Sequence, residues 1–567
     1  MYFYFSEMFN HEVPHKTSAD VLAANSQIAS YFAAVDNAVS IGDTNKRYQP
    51  VNNTSYGPPA PIHANTFTTV IISPTADNTA DIYNGFINAL MKVNVSLNKA
   101  IPAWQSTRTV TITPEDGGDP VNADIPADLD NPHRVWVGFK DAMDAIEKYE
   151  IMANGISVYT QNNAIEESYI TACGFPNAAK RCNYFSRARH KDVFELKATN
   201  SCGTYVDFSD VAAGKAIQVE IPLKIDLRRF LPLSNIKYLP AFAGKIELRI
   251  LFGTQGLVAA PVSPIACFTA PHAIPHHYIE TVTNEFVPAT EQFCMITSYT
   301  APNYGSSTTS QVFPTKMGSV KASEVQLSAN MAFVDKCESI INCFGIASDV
   351  YDALVQKYVE TPLTFPTQTL SFAPLANLLK APGGTSSITL TPRFIDSLFV
   401  LFPHKQNCRT CYKNPLLEGF QIQCGGYGSL PGIMHGTYGK DAALTMEELQ
   451  NALNVNCDTV GLNKDVARSM VNGLKQFNRG HESMDATHFL LGFATETDNT
   501  FQQGQTSNTP ITYTFTYNLA SANGGDEVPP IVGVLVDSTF SIQIRPDGAP
   551  PIVEIGAYDI TSPVILN

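Results

Sequence analysis

The stretch 216–252, AIQVEIPLKIDLRRFLPLSNIKYLPAFAGKIELRILF, constrains the fold more than any other part of the chain. Ile217, Val219, Ile221, Leu223, Ile225 and Leu227 fall at every second position. That is the period of a strand buried on one face, because successive side chains point to opposite sides of the pleat. Pro222 interrupts the run without an amide to donate, which places this strand at a sheet edge or at a bulge. After FLPLSNIKYLP a second alternation follows, Ile246, Leu248 and Ile250 with Glu247 and Arg249 between them. The pair reads as two strands of one barrel joined through a proline-rich corner.

With 567 residues the chain exceeds what one core holds, so two or more domains are expected. Alternating runs recur at Thr66–Ile72, Phe86–Leu97, Thr107–Thr113, Gly155–Thr160, Val193–Lys197 and Glu324–Val334. Further runs lie at Thr364–Phe372, Ser386–Thr391, Ser397–Phe402, Gly419–Gly425, His488–Thr495, Pro510–Leu519 and Ile531–Arg545. Helical spacing is predicted only at 17–40, 134–151, 338–360 and 445–477, so the fold class is all-β. The large-scale layout repeats without a short period, which disfavours a solenoid or propeller. Two tandem eight-stranded Greek-key barrels account for it, with residues 1–59 as an N-terminal arm outside them. Residues 60–290 then form the first barrel, and 291–567 the second with a helical insertion at 445–477.

The formal charge of −15 argues against direct coating of nucleic acid, which needs clustered Lys and Arg. The one dense basic cluster, Lys180, Arg181, Arg187, Arg189 and Lys191, fits phosphate or, better, an acidic surface on a neighbouring subunit. No apolar run is long enough for a spanning helix. The aromatic start MYFYFSEMFNHEVPH lacks the basic and apolar regions of a secretory signal. The 11 scattered cysteines read as buried reduced thiols rather than a disulfide framework, and the sequons at Asn52, Asn53 and Asn94 carry little weight without a secretory route.

Catalytic motifs are not found. His11-Glu12-Val13-Pro14-His15 matches a zinc-protease string, but Pro14 denies it the helix that would bring both histidines to one face. The best metal candidate is His404, Cys408, Cys411 and Cys424, one imidazole and three sulfurs for tetrahedral zinc. The plainer reading, two thiols in a polar loop and one in a strand, is favoured because all four ligands must converge. GGYGSLPG is not a phosphate loop, since Pro431 precludes a following helix. The acidic pairs Asp116 with Asp119 and Glu166 with Glu167 read as solvated faces, and His276-His277 as structural. No cofactor is expected.

Three stretches carry a family resemblance: VEIPLKIDLRRFLPLSNIKYLPAFAGKIELRI, IDSLFVLFPHKQNCRTCYKNPLLEGFQIQCGGYGSLPG and VPPIVGVLVDSTFSIQIRPDGAPPIVEIGAYD. The chain resembles the double jelly-roll major capsid proteins of eukaryotic double-stranded DNA viruses, most nearly those of virophages and polinton-like or adintovirus-like elements. The resemblance implies two upright jelly rolls, pseudo-hexameric homotrimers and self-assembly into an icosahedral capsid. It implies a non-enzymatic structural protein of the virion, with neighbouring capsomers and a penton or minor capsid protein as partners, and leaves an inner membrane open. The N-terminal helix and the 445–477 insertion have no counterpart in the family core. The alternative is a carbohydrate-binding or glycan-processing β-sandwich, but neither tryptophan, Trp104 or Trp136, lies beside an acidic pair.

Overall fold

The computed structural model describes residues 27–36, 47–52, 62–97, 109–112, 121–124, 134–174, 203–261, 287–288, 327–453, 489–494, 511–519 and 529–557, with short gaps inside some of these ranges. A helix over 27–36 (α1) is followed by β1 (Arg47–Asn52), β2 (Phe67–Ile71), β3 (Thr79–Leu97), β4 (Thr109–Ile112), β5 (Val121–Asp124) and β6 (Arg134–Phe139). A 3₁₀ turn (Ala142–Ala145) leads to β7 (Ile146–Ala153), β8 (Ile156–Gln161), α2 (Ala164–Gly174), β9 (Gly203–Asp207) and β10 (Ile217–Asp226). The corner that follows contains two short 3₁₀ turns, and then come β11 (Tyr238–Pro240), β12 (Ile246–Phe252), β13 (Leu257–Pro261) and β14 (Val287–Pro288). Next are β15 (Leu327–Phe344), α3 (Ser348–Glu360), β16 (Leu363–Pro374), β17 (Gly383–Leu390), β18 (Ile395–Leu401), β19 (Leu417–Cys424) and β20 (Gly428–His435). The described chain closes with α4 (Ala442–Leu453), β21 (Leu491–Ala494), β22 (Ile511–Leu519), β23 (Ile531–Gln543) and β24 (Ile552–Ala557).

The connectivity of the second half is that of a jelly roll. Its sheets run β16-β23-β18-β21 and β17-β22-β19-β20, with β24 added to β23. The pairs are nested: β16 with β23, β17 with β22, β18 with β21, and β19 with β20. A long hairpin rolled up on itself makes this pattern, two interlocked Greek keys around one core. Tyr513, Phe515 and Tyr517 of β22 alternate inward against Phe420, Phe399 and Val534 in that core, as their spacing predicts.

The same nesting occurs in the first half. β2 pairs with β12, β3 with β10, β6 with β9, and β7 with β8. Here β7 sits beside β12, so the sheets are assembled as β2-β12-β7-β8, β14-β13-β6-β9 and β1-β15-β3-β10. The tight β7–β8 turn is Asn154-Gly155 with φ of 51° and 84°, the left-handed pair that a two-residue hairpin favours. β10 lies at the edge of its sheet and stays in register through Pro222, opposite Leu90, so the proline takes the edge rather than a bulge.

Three segments differ from their sequence patterns. Residues 134–151 are two strands and a 3₁₀ turn, not a helix. Ala142, Ala145, Ile146 and Tyr149 are all buried, but a turn feeding a strand meets that spacing as well as a helix does. Residues 338–344 continue β15, and α3 begins only at Ser348; the whole strand pairs with β3 and β1 and buries Ala329, Val334 and Ile341 in the first core. Alternation identifies a strand without saying which sheet it joins, and this one had been assigned to the second barrel.

The third difference is the N-terminal arm. α1 docks on its own chain, with Ile28, Tyr31, Phe32 and Val35 buried in the first core. Tyr31 meets Tyr358 and Phe365 edge-on at 6.1 Å, Phe32 meets Tyr238 at 6.0 Å, and Asp36 pairs with Lys237 at 2.9 Å. β1 also joins the first half, along β15. Of the 445–477 insertion, the described residues show α4, packed on β21; 454–477 lie outside them.

The two cores are not separate along the chain. Leu363 and Phe365 of β16, Phe540 and Ile542 of β23 and Val553 of β24 enter the first core, whereas Leu370, Val532 and Val534 of the same two long strands enter the second. Because α1 is a core element, Phe32→Ala is expected to destabilise the protein by about 3–5 kcal/mol in urea unfolding, a loss that a free arm would not show.

Candidate functional site

The densest polar cluster among the described residues is buried where the two halves meet, and α2 is its centre. Residues 164–171 of α2 are buried on every side although they include two glutamates, a serine, a tyrosine and a threonine. Glu166 and Glu167 occupy the first turn, where the helix dipole favours negative charge. They are 2% and 0% exposed, which corrects their reading as a solvated face.

Glu167 ties three elements of the first half together. Its Oε1 accepts from Tyr149 Oη at 2.8 Å and from the Leu231 amide at 3.3 Å, and its Oε2 accepts from Gln161 Nε2 at 2.7 Å. Gln161 Nε2 also donates to the Leu370 carbonyl of β16 at 2.9 Å, carrying the network into the second half. One turn away, Asp141 and Asp144 form a reciprocal capping box on the 3₁₀ turn. Asp144 Oδ1 accepts from Ser168 Oγ at 2.8 Å, and Arg229 reaches Asp141 at 3.2 Å and the Ser168 carbonyl at 3.2 Å.

From the second half, Arg409 grips Glu166 with two nitrogens, Nε to Oε1 at 2.8 Å and Nη2 to Oε2, and also donates to Gln255. The Tyr412 ring meets that of Tyr169 at 4.5 Å, tilted by 53°, and Tyr169 Oη donates to the Phe489 carbonyl at 3.0 Å. Ile170 and Leu231 cross over to pack in the second core. The proline corner adds two straps, Asn235 Nδ2 to the Pro366 carbonyl at 2.9 Å and Thr367 Oγ1 to the Leu231 carbonyl at 2.8 Å.

Burial sets the protonation behaviour. It pushes the Glu167 carboxyl up to about 7 against its three donors. Burial, with the Asp141 charge beside it, pushes Asp144 up to about 7 as well. The Tyr149 and Tyr412 phenols are raised well above their ordinary value by burial. Burial lowers the Arg409 pKa, but the bond from Glu166 outweighs it and the guanidinium is held charged. A cluster enclosed in this way works as a joint: it locks the relative position of two sheet systems.

Most of the sequence-derived site residues fall outside the described residues. His404, Cys408 and Cys411 lie outside the described residues, and Cys424 is the last backbone position of β19, its side chain not among them. His11, Glu12 and His15, the basic cluster 180–191, Asp116, Asp119 and His276-His277 also lie outside them. Of GGYGSLPG, residues 428–432 open the edge strand β20. Cys337 and Cys343 are both buried, and burial pushes the Cys337 thiol up to about 12. Sequence reasoning missed α2 because it looked for an amphipathic stripe, and a helix enclosed on all sides has none.

No family model matches the chain, and no curated protein matches it. Among solved structures, the mavirus major capsid protein aligns with a TM-score of 0.44 at 10% identity, over 92% of this chain and 93% of its own. A chain in the cryo-EM structure of the Sputnik virophage aligns with a TM-score of 0.44 at 12% identity, over 91% of this chain and 89% of its own. The Faustovirus major capsid protein aligns with a TM-score of 0.36 at 10% identity, over 88% and 90%.

Removing Arg409 leaves Glu166 buried without its cation. Arg409→Met is expected to cost about 3 kcal/mol in urea unfolding, near the lower end for a buried pair because Arg409 keeps 21% exposure. Adding Glu166→Leu to that variant recovers most of the loss, since the remaining charge goes with it.

Proposed function

We propose that the chain is a structural subunit of an icosahedral viral capsid, a major capsid protein that acts by packing against copies of itself. One observation carries the reading: strand pairs nest in both halves of the chain, with jelly-roll connectivity in the second, and an enclosed charged joint ties the halves together. Two similar upright units per chain mean that three chains around a threefold axis present six similar lobes. Such a pseudo-hexagonal footprint tiles a closed shell. The stretches quoted for the capsid-protein resemblance supply the strands β10, β12, β18, β19, β23 and β24, the framework of both units.

The net charge of −15 suits this role, because it opposes premature precipitation and leaves genome contact to other virion components. Location in the virion, neighbouring capsomers and a penton or minor capsid partner belong to the same reading. Bond-making chemistry does not: the groups with displaced pKa values at the joint are enclosed and hold the two units in place.

Sedimentation across a concentration series tests the proposal. The expected species has three times the mass of the chain, with larger arrays as concentration rises. A single-chain species at every concentration would overturn it, and specific retention on a glycan array by that species would favour a carbohydrate-binding role instead.

A further inference from the structure

We propose that the joint between the two units is a proton-controlled clasp, closed while Asp144 and Glu167 each hold a proton and loosened when they release it. The geometry that points to this is an imbalance of charge in an enclosed space. Asp141, Asp144, Glu166 and Glu167 are between 0% and 6% exposed, and among the described residues two guanidinium groups, Arg229 and Arg409, contact these four carboxyls. Each guanidinium contacts one of the other two carboxyls: Arg229 meets Asp141 at 3.2 Å, and Arg409 holds Glu166.

Asp144 and Glu167 are left with neutral donors. Asp144 has Ser168 Oγ and the Asp141 amide, and Glu167 has Tyr149, Gln161 and the Leu231 amide. The elements packed against them bring more acidic groups than cations. The 3₁₀ turn brings Asp141, β7 brings Tyr149 with Glu147 at the rim, and β8 brings Tyr159. α2 brings Glu166, the corner brings Arg229, and the 409–412 segment brings Arg409 and Tyr412. Ionising both carboxyls therefore places two uncompensated negative charges inside the joint, and their relief is to admit water by parting α2 from β16 and the 409–412 segment.

Both carboxyls titrate near 7 because burial raises them. The unfolded or opened chain carries ordinary carboxyls with pKa values of about 4, so between about 4 and 7 the closed joint binds more protons than the open one. Closure is favoured at the acid end and weakens as pH rises through neutrality. Between about pH 6 and about pH 8 the opening constant rises about tenfold for each of the two groups, or about a hundredfold together.

Hydrogen exchange measured by mass spectrometry on the full chain tests this, with rates converted to protection factors at about pH 6 and about pH 8. The expected result is a fall of about a hundredfold in protection of α2 and the facing part of β16, with β17 and β22 unchanged. Asp144→Asn or Glu167→Gln alone should reduce the fall to about tenfold, and the two together should abolish it. Asp396→Asn removes a half-buried carboxyl, on β18 and bonded to Gln368 at 2.8 Å, and should leave the fall intact. Constant α2 protection in the wild-type chain, or an equal fall across β17 and β22, would overturn the proposal without reference to any variant. Persistence of the full fall in the double variant would also overturn it.

Discussion

The structure depends on a carboxyl group that has no cation of its own. Glu167 collects donors from β7, β8 and the proline corner, and the glutamine it holds reaches on to β16. The Tyr149 hydroxyl and the Leu231 amide find their acceptor here, and a buried polar group left without one costs about 1–3 kcal/mol. A helix carrying two glutamates can thus be enclosed between two apolar cores, provided the surrounding elements are placed to meet it. The joint fixes the position of both units at once.

Around that joint the architecture follows from strand length. β3 runs for 19 residues and carries β10 and β11 along one edge and β15 along the other. Its outward positions hold a small charged network, Lys92 lying between Glu220 at 3.2 Å and Asp335 at 3.7 Å, while from Gly85 to Leu97 every second residue is buried. Long strands of this kind let one sheet serve as a wall for neighbouring elements, and β16 and β23 do the same across both cores.

How much of this was legible follows from what each pattern encodes. Period-two alternation marked β10, β12, β22 and β23 to within a few residues, and Pro222 correctly implied a sheet edge. Such patterns describe one strand at a time. They did not reveal that β15 belongs with β3, or that α1 turns inward, because partner choice depends on the shape of the rest of the core. Residues 134–151 misled for a different reason, since Ala142, Ala145, Ile146 and Tyr149 are buried as a helix would bury them. The joint was the least legible part. Glu166 and Glu167 look like surface residues until Arg409, more than two hundred positions away, is seen to face them.

The straddling strands have a consequence for the order in which the molecule can be completed as it is synthesised. The N-terminal unit takes Phe540 and Ile542 of β23 and Val553 of β24 into its interior, from the far end of the chain. A ribosome that has delivered the first 360 residues has therefore not delivered a finished N-terminal unit, whose wall stays open until the last strands emerge. Domain-by-domain maturation, the usual course for a protein of this size, is replaced by a single late closure of both units.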